Sequence, residues 1–369
     1  MRLRKVSVGL TWALTLALTL GACASSPKAT PSPKPTVAAN TSGAFCLLEK
    51  KNSQDIRAVE LGKAMGDALA DPANKQVAKP VNLSVEKAEE IAGKLREKKC
   101  KNVLSLEPGF AGDLVQIAKS YADINFAVMG AIGKTKALAN ASGIDFDLRQ
   151  PAFLAGYAAA GVTKSGRVGA VSDLASENTA KNADVNPGID TAFSWANGFR
   201  LGVEYYNQFK GSGITLAAWD QSAGGPVRVA SAQLHDQLIK LADAQVDVIF
   251  VMAPPGESAV VEGLAGKDAA AIWNGQDLAA ASPQLKANIL TSTVIDPSGC
   301  VKELMKQLKT GSVAGKDYLG TLKNSGVKLA GWGDYAPRFS DSLTAELAGI
   351  RSQIDSGKID ITKLGAHQG

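Results

Sequence analysis

Short apolar runs alternate along most of the chain with longer segments in which apolar residues recur at helical spacing. The short runs predict buried strands, and the longer segments predict helices that pack on a sheet. The predicted strands are 44–48, 103–106, 125–129, 168–171, 214–219, 246–252, 270–273 and 289–294, and the predicted helices are 55–70, 84–95 with Ser84 as its N-cap, 111–121, 150–163, 192–209, 228–244, 301–308 and 340–354. This repeated order favours α/β architecture with parallel sheets covered by helices, and the chain is long enough for two such sheets.

The first residues do not follow this alternation. A basic start at 2–5 precedes an apolar stretch at about 8–20, which is typical of a signal peptide and too short for a comfortable membrane-spanning helix. The sequence LGAC at 20–23 resembles the lipobox of bacterial lipoproteins. The resemblance implies that 1–22 is a signal peptide and that Cys23 receives a diacylglyceryl group.

The segment after Cys23 has the composition of a tether. Residues 24–43 contain four prolines, several Ser, Thr and Ala residues, and neither an acidic nor an aromatic side chain. Such a segment cannot bury a core, so we expect 23–43 to be a disordered link from the lipid anchor. Two acyl chains hold a protein stably at a membrane, whereas a single chain does so only marginally.

Composition and charge then limit the partners of the remainder. About 325 residues follow the tether, which suits two lobes better than one small core. The formal charge of +5 falls to +2 when Arg2, Arg4 and Lys5 leave with the signal peptide. This charge is no electrostatic footprint for nucleic acid.

Three cysteines remain after Cys23, namely Cys46, Cys100 and Cys300. An extracytoplasmic location permits a disulfide. The odd number leaves at least one thiol unpaired within the molecule, and the sequence leaves the pairing open.

Two sets of fragments have the composition of catalytic motifs but not their context. GAIGKT at 130–135 follows a predicted strand, yet Val128 stands where a phosphate loop needs its first glycine. The fragments at 84–87, 176–178 and 309–311 have the order of the serine penicillin-binding enzyme motifs. Here, however, 309–311 ends a predicted amphipathic helix with a glycine at the position of a C-terminal cap.

The histidines and the paired carboxylates of the sequence do not indicate a catalytic site either. His235 falls mid-helix and His367 falls in the tail, so a histidine triad or a multi-histidine metal site is hard to assemble. Asp145 and Asp147 are more simply explained by a turn before the next helix. We therefore expect no catalytic residue, no metal and no cofactor.

Four blocks of sequence resemble the basic membrane protein (BMP) family, the purine-nucleoside-receptor-like substrate-binding lipoproteins of ABC transporters. The sequence DLRQPAFLAGYAAAGVTKSGRVGAVSD at 147–173 looks like the signature of that family, and 193–207, 244–258 and 289–311 fall where the family has later blocks. The resemblance covers about 44–360. It implies a type I periplasmic-binding-protein fold with two Rossmann-like lobes, three crossovers and a ligand cleft between the lobes.

The resemblance also implies how the chain divides between the lobes. The first lobe is expected to contain 44–150 and to regain the chain at about 276–325. The second is expected to contain 151–275 and about 326–360, and 361–369 would be a tail.

Candidate ligand residues follow from the position of the loops. In open α/β sheets, ligands bind outside the carboxyl ends of the strands. The loops there contribute Asn52, Ser53, Gln54, Pro108, Gly109, Phe110, Gly130, Asp220, Gln221, Pro254, Pro255, Gly256, Asn274, Gln276 and Asp277. Trp195 and Trp219 are candidates for flat surfaces against a ring, although each could equally be a packing residue. Asp220 and Asp277 could equally cap a turn or a helix.

The resemblance does not carry the nucleoside contacts onto suitable side chains. The positions that match these contacts are Asn52, Asp55, Ile56, Gly130, Gly275 and Ile295. Ribose hydroxyls need fixed partners, because a buried polar group without a partner costs ~1–3 kcal/mol. We therefore expect a different polar solute.

The expected protein is an extracytoplasmic receptor, anchored to the bacterial cell membrane by a lipid on Cys23. It would capture a small polar solute and present it to an ABC transporter permease. The alternative is an anchored sensor or partner-binding lipoprotein that uses the same fold without transport.

Overall fold

The computed structural model of the protein describes residues 43–173 and 192–364. The strands in these ranges are β1 (Ala44–Lys50), β2 (Val81–Val85), β3 (Cys100–Ser105), β4 (Asn125–Met129), β5 (Ala141–Phe146), β6 (Arg167–Asp173), β7 (Thr215–Ala217), β8 (Trp219–Asp220), β9 (Gly225–Val229), β10 (Val248–Met252), β11 (Ala270–Gly275), β12 (Ile289–Ile295), β13 (Tyr318–Gly320) and β14 (Val327–Leu329). The helices are α1 (Ile56–Ala70), α2 (Ile91–Glu97), α3 (Ala111–Ser120), α4 (Arg149–Val162), α5 (Ala192–Lys210), α6 (Ser231–Asp243), α7 (Leu278–Ala281), α8 (Ser298–Lys309), α9 (Asp341–Asp355) and α10 (Ile361–Leu364).

The strands form two sheets, which confirms the predicted α/β architecture. The first sheet has the order β13-β5-β4-β3-β1-β2, and every neighbouring pair is parallel. The second has the order β14-β12-β11-β10-β6-β9-β8, with β7 also paired to β6. The second sheet is mixed rather than wholly parallel, because β14 runs against β12 and β8 runs against β9.

We call the first sheet with α1, α2, α3 and α8 the first lobe, and the second sheet with the other helices the second lobe. The chain crosses between the sheets three times, after β5, after β12 and after β13. The family resemblance implied that about 276–325 belongs to the first lobe. Instead, β12 is hydrogen-bonded to β11 in the second sheet, so the chain returns to the first lobe only after Ile295.

Two strands, β2 and β9, overlap segments that were predicted to be helical. Ser84 was predicted to cap a helix, but it lies in β2, which pairs with β1. Leu83 and Val85 are buried on one face while Ser84 is exposed, so the period-two alternation of a strand prevailed over the cap signal. Arg228 lies likewise in β9, and the helix predicted there begins only at Ser231.

A disulfide joins the neighbouring strands β1 and β3 of the first lobe. Cys46 of β1 and Cys100 of β3 are bonded, with a Cα–Cα distance of 5.8 Å, and both are buried. Cys300 in α8 is a buried free thiol.

Helices α4 and α5 pack at unusually short range in the second lobe. A Cβ atom on Gly156 of α4 would lie 2.0 Å from the carbonyl oxygen of Phe199, and one on Gly202 of α5 would lie 2.0 Å from that of Phe153. Only glycine permits this approach at both positions. The contact fixes α5, which carries Trp195 near its N-terminal end.

Candidate functional site

The carboxyl edges of the two sheets adjoin where β1 and β11 end. Asp55, after β1, caps the N-terminus of α1, and Ile56 is the first residue of that helix. Gly275 ends β11 with a φ of 87°, and a Cβ atom there would lie 2.1 Å from Cγ1 of Ile56. The first and second lobes therefore touch directly at Ile56 and Gly275, which we call the interlobe contact.

Arg57 forms a buried ionic group next to this contact. Its side chain is fully buried, and its Nε and Nη2 atoms donate to the Asp55 carboxylate at 3.0 and 2.6 Å. Its Nη1 atom donates to Oδ1 of Asp145, a fully buried residue of β5, at 3.0 Å. The guanidinium carbon lies 5.8 Å from the ring centroid of Trp195 in the second lobe, within cation–π range. Arg57 thus joins two carboxylates of one lobe to an aromatic ring of the other.

A second polar group lies behind Asp55 in the first lobe. The Ser53 hydroxyl accepts a bond from the Asp55 amide at 3.3 Å and donates to the Glu107 carboxylate at 2.8 Å. The Gly109 amide also donates to Glu107, at 3.2 Å. Burial raises the pKa of Glu107, and the negative charge of Asp55 adds to the rise. Hydrogen bonds therefore connect Glu107 through Ser53 and Asp55 to Arg57.

A cavity opens beside this group, at the carboxyl ends of β1, β2 and β3. Its volume is about 420 Å³, and we call it the first-lobe cavity. It is lined by Glu49, Lys50, Lys51, Asn52, Ser53, Ala58, Val59, Gly62, Lys63, Ser84, Leu106 and Glu107. All of these residues belong to the first lobe, so this cavity is separate from the interlobe contact.

The predicted ligand residues of the first lobe lie in different surroundings. Asn52 lines the first-lobe cavity in a left-handed turn, with a φ of 56°. Gln54 is exposed, and its amide nitrogen donates to the carbonyl oxygen of Asn52 at 3.3 Å. Phe110 is buried in the hydrophobic core of the first lobe. It therefore packs the lobe and offers no surface to a ligand.

In the second lobe, three predicted residues lie at carboxyl ends of strands as expected. Asn274 is buried, and its side-chain oxygen accepts a bond from the Ala253 amide at 3.2 Å, which ties the ends of β10 and β11 together. Asp277 caps α7 by accepting a bond from the Ala280 amide at 3.2 Å. Gly256, with a φ of 91°, turns the exposed loop after β10. Binding by these residues stays a prediction.

Asp220 lies elsewhere, in the β8–β9 hairpin at the border of the second sheet. Its carboxylate accepts bonds from the amides of Ser222 and Ala223 at 2.9 and 3.1 Å. The side chain is exposed, and its pKa is lowered by the hydrogen bonds from Ser222 and Ala223. Asp220 therefore closes its own turn, which was the alternative that the sequence left open.

The two tryptophans each face an arginine. Trp195 is only 7% exposed and belongs to a hydrophobic core, and Arg57 lies over its ring. Trp219 is half-buried, and the Arg200 guanidinium carbon lies 5.8 Å from its ring centroid. A ligand ring could stack on Trp195 only if Arg57 moved away.

Three of the positions that the family resemblance aligned with nucleoside contacts serve packing here. Gly130 has a φ of 79°, and a Cβ atom there would lie 2.9 Å from Cβ of Pro108. Gly275 accommodates Ile56, and Ile295 is buried in a hydrophobic core. These positions bring no hydrogen-bonding side chain to a solute.

Sequence reasoning missed Arg57 and Glu107 and misplaced Asp145. Asp145 was assigned to a turn, but it lies within β5, where every residue is buried. Asp147 follows β5 and binds Arg149 at 2.7 Å. The sequence does contain a signal for Asp145, which is a charged residue within an apolar run. A buried charge needs a partner, so this position indicates an ionic contact with another part of the chain. In the described ranges, no cluster of His, Cys, Asp and Glu could hold a metal ion.

Comparison with protein families gives one match over most of the chain. The family model Bmp, described as ABC transporter substrate-binding protein PnrA-like, matches residues 71–364. No protein of curated function has a sequence similar enough to this chain to count as a match.

Solved structures with the same fold share little sequence with the chain. An ABC transporter solute-binding protein from Aeropyrum pernix K1 is 16% identical with a TM-score of 0.66, over 86% of this chain and 92% of that one. A solute-binding protein from Conexibacter woesei DSM 14684 is 16% identical with a TM-score of 0.58, over 86% of this chain and 98% of that one. A third solute-binding protein, from Agrobacterium vitis and bound with alpha-D-tagatopyranose, is 15% identical with a TM-score of 0.51. This match covers 82% of this chain and 98% of that one. These neighbours confirm the predicted type I periplasmic-binding-protein fold.

Proposed function

Because the chain belongs to the Bmp family of PnrA-like ABC transporter substrate-binding proteins, we propose that it captures a small polar solute between its lobes and presents it to a permease. The observation that carries this proposal is the meeting of β1 and β11 at their carboxyl ends, through Ile56 and Gly275. Ligands of open α/β sheets bind at such edges. A solute held there would touch both lobes and favour their closed arrangement.

The side chains near the interlobe contact favour a polar solute over a stacked nucleobase. The exposed ring face that a base requires is absent at Trp195, since Arg57 lies over it and the ring is buried. Gly130 and Ile295 supply no partner for ribose hydroxyls. Asn274 in β11, and Gln276 and Asp277 directly after it, are the polar candidates closest in sequence to Gly275.

We further propose that the protein is extracytoplasmic and anchored to the membrane by a lipid on Cys23, with 1–22 as signal peptide and 23–43 as tether. The Cys46–Cys100 disulfide supports this location, because disulfides persist in oxidising compartments. Within 43–173 and 192–364, the structure contains no helix with the length and apolar character to cross a bilayer.

A thermal melting screen of the detergent-solubilised full chain tests the solute proposal. A solute at one hundred times its dissociation constant stabilises the folded state by ~2.7 kcal/mol. For about 325 folded residues this is a rise in Tm of about 4 °C. We expect a sugar, amino acid or other polar solute to produce this rise, and inosine and adenosine to produce little or none.

Gly275→Ala provides the control for the position of the solute. The added methyl group meets Ile56 and requires an unfavourable backbone conformation, so it should separate the carboxyl edges and abolish the solute-induced rise. An unchanged rise in this variant would place the solute away from the interlobe contact. Strong binding of inosine or adenosine would contradict the proposed solute class.

The alternative is an anchored sensor or partner-binding lipoprotein. The observation that favours it is the use of Gly130, Gly275 and Ile295 for packing rather than for ligand contacts. A screen that finds no solute among nucleosides, sugars, amino acids and vitamins, together with a protein partner cross-linked at the membrane, would support this alternative.

A further inference from the structure

Two lysines of the first-lobe cavity form no ion pair with a carboxylate in the described part of the chain. Lys50 is half-buried and Lys63 is exposed, and both line the cavity. Among the described residues, neither ammonium group lies within 4.0 Å of a carboxylate oxygen. Lys51 also lines the cavity, but its ammonium group binds Glu86 at 3.2 Å. The cavity wall therefore holds one paired lysine and two whose ammonium groups make no ion pair.

Two acids share the cavity wall with these lysines, the half-buried Glu49 and the buried Glu107. Glu107 is 6% exposed, and both of its carboxylate oxygens already accept bonds, from Ser53 and from the Gly109 amide. Burial and the nearby Asp55 raise its pKa, and Lys50 opposes the rise. Glu107 is thus fixed in the wall by its own partners, and it does not bind either lysine directly.

The rest of the wall combines polar side chains, Asn52, Ser53 and Ser84, with an apolar strip. Ala58, Val59 and Gly62 of α1 line the cavity together with Leu106, which follows β3. Val59 is 37% exposed, which makes it one of two large apolar side chains exposed to this extent among the described residues. Gly62 lets Leu106 approach α1, since a Cβ atom there would lie 2.9 Å from Cδ1 of Leu106. A volume of about 420 Å³ is within the range of small-molecule sites.

We propose that the first-lobe cavity is a second binding site, which takes a small organic anion with a short apolar portion. The ammonium groups of Lys50 and Lys63 hold the anionic group, and Val59 and Leu106 cover the apolar portion. Every lining residue belongs to the first lobe, so this site does not depend on closure of the lobes or on the proposed transport function.

Differential lysine labelling of the full chain, with hexanoate as the probe, tests this site. An amine-acylating reagent modifies each lysine at a rate that mass spectrometry measures. Bound hexanoate should slow the modification of Lys50 and Lys63 several-fold and saturably. The exposed Lys79, outside the cavity, should react at an unchanged rate.

Substitutions separate the two available lysines from the paired one. Lys50→Gln and Lys63→Gln should each raise the half-saturating hexanoate concentration about tenfold, as the loss of one charged hydrogen bond would. Lys51→Gln should change it less than about twofold, because that ammonium group is bound to Glu86. Unchanged melting temperatures would show that the variants fold.

Hexanamide, which has the same shape without the charge, should give no protection. The proposal is overturned if hexanamide protects as well as hexanoate, since the cavity would then be only an apolar recess. It is also overturned if Lys79 is protected to the same extent as Lys50 and Lys63. A third contrary result is that hexanoate at about 10 mM, which would detect even millimolar affinity, protects neither Lys50 nor Lys63.

Discussion

At the scale of single residues, Arg57 links the two lobes beside the interlobe contact. A planar guanidinium can donate to two carboxylates at once and still present its face to an aromatic ring, which a lysine cannot do. Here the two carboxylates are Asp55, two residues away in the chain, and Asp145, which is 88 residues away. One guanidinium therefore compensates the charges of both the Asp55 and the Asp145 carboxylates.

Arg57→Ala should therefore destabilise the protein strongly. Removal of one partner from a buried ionic group leaves the others unpaired, so we expect the free energy of unfolding to fall by about 3–5 kcal/mol. Chemical denaturation measures this change. Arg96→Ala is the control, because Arg96 is exposed and lies over Tyr121 at 5.1 Å, and its loss should cost less than about 1 kcal/mol. Equal effects of the two substitutions would contradict the role assigned to Arg57.

Glu107 should make stability depend on pH. Its pKa is raised in the folded state, so its stabilising contribution is complete below the ordinary glutamate pKa of about 4.3 and is lost as the pH rises through the raised value. Glu107→Gln removes this titration. We expect the unfolding free energy of the variant, relative to wild type, to increase between about pH 4 and pH 7.

Glu97→Gln is the matched control for this pH dependence. Glu97 is exposed, and a hydrogen bond from Lys98 lowers its pKa, so its contribution is present above the ordinary pKa and is lost as the pH falls. The relative stability of that variant should change in the opposite direction. The same trend for both variants would show that the effect does not arise from Glu107.

At the scale of elements, the α4–α5 contact offers the sharpest test of packing. Gly156→Ala places a methyl group 2.0 Å from the Phe199 carbonyl oxygen, so the helices must move apart. We expect a loss of about 3 kcal/mol, at the upper end of overpacking effects. Gly93→Ala in α2 meets no atom within 4 Å and should stabilise by about 0.5–1 kcal/mol. Denaturation curves of both variants compare these outcomes, and a stabilised Gly156→Ala variant would contradict the contact.

The elements that the sequence predicted correctly are those with long or uniform patterns. α1, α4, α5 and α9 agree with the predicted helices within a few residues, and so do the apolar strands β4, β10 and β12. Strands β2 and β9 were missed because each is short and contains polar residues. Pairing with β1 and β6 holds them in the sheets, and a local window cannot detect such pairing.

The candidate site could be predicted only in part, for a related reason. Strand order in the sequence located the loops of Asn274 and Asp277 at a carboxyl edge. The sequence could not reveal that Arg57 reaches Asp145 and Trp195, because these contacts depend on how distant segments meet. Phe110 was misjudged because a loop position does not show which way a ring points.

At the scale of the whole molecule, the three crossings connect the lobes near their carboxyl edges. β13 and β14 lie in different sheets and are separated only by residues 321–326, so the last crossing is short. The α4–α5 contact lies in the second lobe, and the disulfide joins two strands of the first. The closure on a solute that we propose would take place at the crossings, as hinged domain closure does.

The proposed lipid anchor on Cys23 would determine where this molecule acts, and Cys23→Ala tests it. The LGAC sequence at 20–23 lies outside the described residues, so the prediction depends on its lipobox pattern and on the tether composition. A diacylglyceryl group on Cys23 would supply two acyl chains, and two chains hold a protein stably at a membrane. Alanine cannot form the thioether that this group requires. We expect the variant to leave the washed membrane fraction or to retain its signal peptide, and intact-mass analysis should show no diacylglyceryl mass. Ser32→Ala, in the same tether, should remain lipidated and membrane-bound. A Cys23→Ala protein that is still processed and still sediments with membranes would rule out the lipid anchor.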